Sequence, residues 1–222
     1  MSKVFGVDSD KSAKQTQESI EHVRSLVIPT GITGFDDSLG QGLPGGILYL
    51  LSGSLESCHV LFAQQVLYNN VLRKTKVAYY TVENSSTDII SDMNIFKMNI
   101  KDYVDDGSWL FARLVPPNMK KIIDILPEAP MEQKINLEGS LSALMNHFHD
   151  SVKEGRNSVI HLQQLIRTFP IEDVQNLLLF ITGVIRKYGG IHFLLLTEGA
   201  YDPIVGTTIK DSVATVFEIS GS

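Results

Sequence analysis

Two imidazoles and a carboxylate have the most chemistry to offer in this chain. His161 and Glu83 each follow an apolar run, His59 follows the turn after another, and two histidines with one carboxylate form a ligand set for zinc or iron. The competing reading is that both rings fill space, bonded to each other or to backbone. Cys58 precedes His59, which raises the pairing of a thiol nucleophile with a base. Neighbours at a helix start point apart, so Cys58 reads as an ordinary small buried residue. His147 and His149 are two apart in a helical stretch and share no face, which puts them at the surface or boundary. Trp109, Tyr103 and Phe111 read as core and rim rather than a platform for stacked bases. Arg73, Lys74 and Lys76 read as a solvated turn, and Glu198 and Asp202 as candidates for an interface.

The elements that must position these residues centre on Gly45–Tyr68, GGILYLLSGSLESCHVLFAQQVLY. This stretch predicts a buried strand over Ile47–Leu51, a turn of small residues, then a helix over Ser57–Val71. Further strands are predicted over Lys76–Val82, Trp109–Leu114, Ser158–Leu162, Ile191–Leu196 and Val213–Ile219. Helices are predicted from Ser86 to about Phe96, with Ser85 or Ser86 as cap, and over Met119–Ile125, Ser140–Val152 and Ile171–Tyr188. Leu126–Leu137, with two prolines and mixed charge, reads as a mobile surface loop, and Tyr201–Lys210 as a loop. Apolar strands alternating with amphipathic helices make an α/β fold with a mostly parallel central sheet and helices on both faces. Ligands of such sheets lie beyond the carboxyl ends of the strands. That edge collects Ser52–His59, Glu83 and Asn84, His161–Gln164, and Thr197 and Glu198.

The chain of 222 residues suffices for one such domain, here residues 26–220, behind an arm and short helix over residues 1–25. The formal charge of −6 disfavours non-specific nucleic-acid binding. The single cysteine excludes an intrachain disulfide. No apolar run approaches a membrane span and no signal peptide is apparent, so the expected location is cytoplasmic.

Within this pattern, TGITGFDDSLGQGLPGGILYLLSG resembles the lead-in to the phosphate loop of RecA-like ATPases of the KaiC and RadA type, closest to archaeal single-domain KaiC-like proteins. KVAYYTVENSSTDIISDM is similar to the family's second strand and following helix, GGIHFLLLTEG to a later strand, and DSVATVFEI to the last, with Asp211 at the family's Asp position. The resemblance implies the RecA-like P-loop NTPase fold, with ATP lying between subunits of an oligomer.

The departures fall on the chemistry. Where the family carries GxxxxGK[ST], this chain carries Gly53, Ser54, Leu55, Glu56, Ser57, Cys58, His59 and Val60. Only the first glycine remains. Cys58 stands for the second glycine, and His59 for the lysine that reaches the phosphates. Val60 stands for the hydroxyl that holds Mg²⁺, and Glu56 adds a like charge. His161 takes the place of the Walker B aspartate. Glu83 remains where the family has its water-activating glutamate, a vestigial candidate without the partners it needs.

The resemblance with these losses implies a catalytically inactive paralogue with no cofactor. It would serve as a structural or regulatory subunit, in a homo-oligomer or a hetero-oligomer with an active paralogue. One alternative retains weak ATP or ADP binding through altered phosphate contacts. Another rebuilds a metal or enzyme site from Glu83, His59 and His161.

Overall fold

The computed structural model describes residues 26–125 and 131–220. The expected arm and short helix over residues 1–25, and the first part of the expected loop, residues 126–130, lie outside the described residues. The domain division therefore remains an expectation.

A two-stranded antiparallel ribbon joins β1, Val27–Ile28, to β2, Leu43–Pro44, with helix α1, Thr33–Ser38, between them. The intervening turn is organised by Asp36, whose carboxylate accepts bonds from the Thr30 amide and hydroxyl and the Gly31 amide at 2.6–2.9 Å.

The main sheet is built from β3 (Ile47–Gly53), β4 (Val77–Thr81), β5 (Trp109–Val115), β6 (Glu132–Asn136), β7 (Asn157–His161), β8 (Ile191–Thr197) and β9 (Thr215–Ile219). Their spatial order is β6-β5-β4-β7-β8-β3-β9, and every pairing is parallel. The helices are α2 (His59–Leu72), α3 (Ser86–Ile95), α4 (Lys101–Asp105), α5 (Lys120–Ile125), α6 (Ser142–Lys153), α7 (Gln163–Thr168), α8 (Ile171–Tyr188) and α9 (Pro203–Asp211).

Strand alternation splits the core into two layers. Leu48 and Leu50 of β3 face the layer formed with Leu144 and Phe148 of α6 and Leu177 and Ile181 of α8. Tyr49 and Leu51 face the layer formed with Ala63, Val66 and Leu67 of α2 and Ile89 and Met93 of α3. A strand covered on both faces must be apolar throughout, as Ile47–Leu51 is.

Two expectations are corrected. The far end of the expected mobile loop, Glu132–Asn136, is edge strand β6. It is pinned by a buried ion pair, with Arg113 Nη1 3.6 Å from Glu132 Oε2 and the two side chains 4% and 3% exposed. Arg113 Nη2 also donates to the Glu83 carbonyl at 3.3 Å, and Glu132 accepts from the Ser86 amide. The second correction is Tyr201–Lys210, which contains α9 rather than a loop. Asp202 caps it, accepting from the Ile204 amide at 2.8 Å, and Pro203 sits in the first turn.

Candidate functional site

The chain leaves β4 toward β5 on one side and leaves β7 toward β8 on the other, so the crevice between β4 and β7 is the switch point of the sheet. The end of β3 and the start of α2 stand two strands away, next to β8.

The turn after β3, Ser54–Cys58, runs tightly from the strand into helix α2. Gly53 is closely covered, because a Cβ there would overlap the Ser57 hydroxyl and come within 2.7 Å of the Ile219 carbonyl. Its own carbonyl accepts from the Glu198 amide at 2.9 Å. Ser57 folds back, its amide and hydroxyl donating to the Ser54 carbonyl at 3.1 and 2.8 Å. Cys58 lies in the left-handed region at φ 58°, where helix α2 begins. It is exposed rather than buried, a correction to its expected place, and its sulfur points to the Glu56 carbonyl at 3.8 Å. No Cys58–His59 pair forms. Leu55 at the tip is 88% exposed, and Ser54 and Glu56 are exposed beside it.

His59 turns inward and is 2% exposed. Its Nδ1 is 3.0 Å from the Ser57 hydroxyl and its Nε2 is 3.3 Å from the Thr197 hydroxyl. Because Ser57 already donates its proton to Ser54, Nδ1–H donates to Ser57 and Nε2 accepts from Thr197. Burial pushes the His59 pKa down, against the raising influence of the Ser54 carbonyl and the Glu198 charge. Val60 follows with no oxygen to offer.

His161 ends β7 and is engaged separately. Its Nε2 is 2.7 Å from the Tyr79 hydroxyl, which also accepts from Gln64 Nε2 at 3.3 Å. Tyr79 therefore donates to His161, a neutral ring whose pKa burial drives down to about 4, helped by the nearby His59. Burial raises the Tyr79 pKa, so its proton stays in place. Glu83 is exposed beyond the end of β4. The crevice between Thr81, Glu83, Asn84, His161, Gln163 and Gln164 encloses about 30 Å³, room for about a single water.

The expected edge segments gather in two groups, Ser52, His59, Thr197 and Glu198 beside β3 and β8, and Glu83, Asn84, His161, Gln163 and Gln164 beside β4 and β7; the rebuilt metal site does not form. His59 and His161 bond different partners and not each other. Among the described residues, no three His, Cys, Asp or Glu side chains stand where they could hold a metal ion. Sequence reasoning misses Tyr79 and Gln64 as site residues, since a tyrosine in an apolar strand reads as core. It also misses a network beside β3. Ser52 donates to Glu198 Oε1 at 3.0 Å, and Lys210 Nζ reaches Glu198 at 3.3 Å and Glu218 at 2.7 Å. Lys210 escapes notice because α9 reads as a loop.

A family model described as "ATPase: KaiC" matches residues 28–192. The circadian clock oscillator protein KaiC of Thermostichus vulcanus is 26% identical over 211 residues, covering 92% of this chain and 38% of that protein. The circadian clock protein KaiC3 of Synechocystis is 27% identical over 138 residues, covering 62% of this chain and 25% of that protein. The chain thus spans well under half the length of these curated relatives. Among solved structures, the flagellar accessory protein FlaH of Methanocaldococcus jannaschii superposes with a TM-score of 0.64 at 18% identity, covering 83% of this chain and 76% of that one. A KaiC-like protein of Pyrococcus horikoshii gives 0.65 at 16% identity, covering 88% and 81%. At these identities the structures speak for the fold, which is RecA-like, and the family match carries the membership: the chain belongs to the KaiC-type ATPase family.

Proposed function

We propose that this protein is a catalytically inactive, cytoplasmic member of the family, of the archaeal single-domain kind, with residues 26–220 as its one domain. It acts as a structural or regulatory subunit, in a homo-oligomer or beside an active paralogue. The observation that carries this reading is His59, buried and bonded at both ring nitrogens where the family's lysine would reach phosphate. A neutral ring held inward offers no charge to an incoming triphosphate, and Val60 offers no ligand to Mg²⁺. The residues present do not fit a magnesium nucleotide.

Calorimetric titration with ATP and ADP, each with and without Mg²⁺, is the test. The expected result is no saturable binding at micromolar concentrations and no phosphate release above buffer. Micromolar binding of Mg²⁺-ATP that disappears in His59→Ala would overturn the reading. The alternative, a site that holds adenine and ribose with few phosphate contacts, would show instead as equal affinity for AMP and ATP that ignores Mg²⁺.

A further inference from the structure

Among the described residues, three of the hollows at the carboxyl edge of the sheet differ in how their polar groups are engaged. The crevice between β4 and β7 is the 30 Å³ space beside His161. A hollow of about 260 Å³ over Glu198, Tyr201, Pro203 and Lys210 has its charged groups occupied, since Lys210 is bound to Glu198 and Glu218. The third, about 360 Å³, lies at the far edge, where β5 ends at Val115 and β6 ends at Asn136. Its volume is within the range of small-molecule sites, and it lies at the carboxyl ends of β5 and β6, away from the switch point between β4 and β7.

The third hollow has a mostly apolar lining and an unengaged polar rim. Val115 and Leu137, 3% and 0% exposed, back it from below, and Pro117 is exposed at it. The rim carries Lys120, Glu138 and Asn136, all exposed. Among the described residues, none of these three side chains has a hydrogen-bond or ion-pair partner. The wall is shaped by backbone: the Leu137 amide donates to the Val115 carbonyl at 3.0 Å, and the chain then turns through Gly139 at φ 80°.

We infer that this hollow is a binding site for a free zwitterionic α-amino acid with an apolar side chain. One cation and one carboxylate at the same hollow leave the site neutral overall, and its mostly apolar lining suits an apolar body. A ligand carrying separated opposite charges satisfies both rim groups. Lys120 takes the α-carboxylate, Glu138 takes the α-ammonium, and Asn136 supplies a donor and an acceptor to either. A nucleotide would meet one lysine and a repelling Glu138, and is the poorer fit.

The test is titration of the full chain with L-leucine and L-phenylalanine, followed by calorimetry and by amide chemical shifts. Saturable binding is expected, with shifts at Val115, Asn136, Leu137 and Gly139. N-acetyl-L-leucine and L-leucinamide, each lacking one charge, should bind about tenfold or more weakly. Lys120→Ala and Glu138→Gln should each weaken L-leucine binding by a similar factor with unchanged thermal midpoints, since both residues are exposed. No saturable response to either amino acid would overturn the inference. So would undiminished binding of the N-acetyl or amide form, or tighter binding of AMP than of L-leucine that is lost in Lys120→Ala. None of these outcomes bears on His59, so this inference and the proposed inactivity fail independently.

Discussion

At the scale of single residues, His59 shows how one side chain ties a loop to the sheet. The ring does not project to the outside of the turn; it cross-links the loop to β8 through Ser57 and Thr197. His59→Ala should therefore cost about 2–4 kcal/mol in equilibrium urea unfolding, from lost bonds and the cavity left behind. His59→Lys should not restore nucleotide binding in the same calorimetric assay. Val60 still lacks a metal ligand, and the inward space that holds a neutral ring is a poor one for an ammonium.

The buried histidines also set a pH dependence. Burial lowers His161 and His192 from 6.5 to about 4, with His192 held between the Ser158 hydroxyl and the Gly189 carbonyl at 2.8 and 3.0 Å. Between those values the unfolded chain takes up protons that the folded chain refuses. Their stabilising contribution is full above pH 6.5 and is lost as pH falls toward 4. Urea midpoints measured from pH 7.5 down to 4.5 should fall steadily on this account, and His192→Gln should flatten the fall even though it lowers the whole curve.

At the scale of elements, the Arg113–Glu132 pair ties the far edge of the sheet to its interior. It joins β5 to β6, and through Glu83 and Ser86 it holds the turn that starts α3. Glu132→Gln leaves a buried guanidinium without its counter-charge and should cost about 3–5 kcal/mol, whereas Arg113→Met with Glu132→Leu should recover most of it. A double-mutant cycle by urea unfolding measures the coupling.

This pair also explains why β6 is illegible in the sequence. EQKIN has no alternating apolar face and little β propensity; its position is dictated by one charge that meets its partner only in the folded sheet. PIVGTTIKD reads as a loop for a different reason. Its β-branched residues and Gly206 argue against a helix, and they mask the start signal in Asp202–Pro203. The segments KDYVD and QQLIRT are too short for helical periodicity to register. Strands such as Ile191–Thr197 and the helix Ile171–Tyr188 are legible because their burial pattern is the pattern of their residues. At the site, the loop substitutions are readable one by one. The direction of the His59 ring is not, because it depends on Thr197, far along the chain.

At the scale of the whole molecule, β6 and β9 are the edge strands of the sheet among the described residues. Strand β9 is partly buried along its length, and its Phe217 ring packs on Tyr49 and Phe35. The described residues contain no helix long and apolar enough to cross a membrane. If the proposed subunit role is right, assembly should be visible with this chain alone or with its active relative. Sedimentation velocity over a hundredfold range of concentration should show a species larger than the monomer. A monomer throughout, with and without the relative, would remove the structural role.

Cys58 retains the left-handed backbone that helix α2 starts from, at φ 58°, although it has a side chain. A residue with a Cβ pays for that conformation, and a glycine does not. Cys58→Gly should therefore raise the thermal midpoint, by about 0.5–1 kcal/mol of stability. Selection for thermal robustness alone, with no nucleotide in the medium, would then favour a glycine at this position. A glycine at this position would be a poor witness to activity.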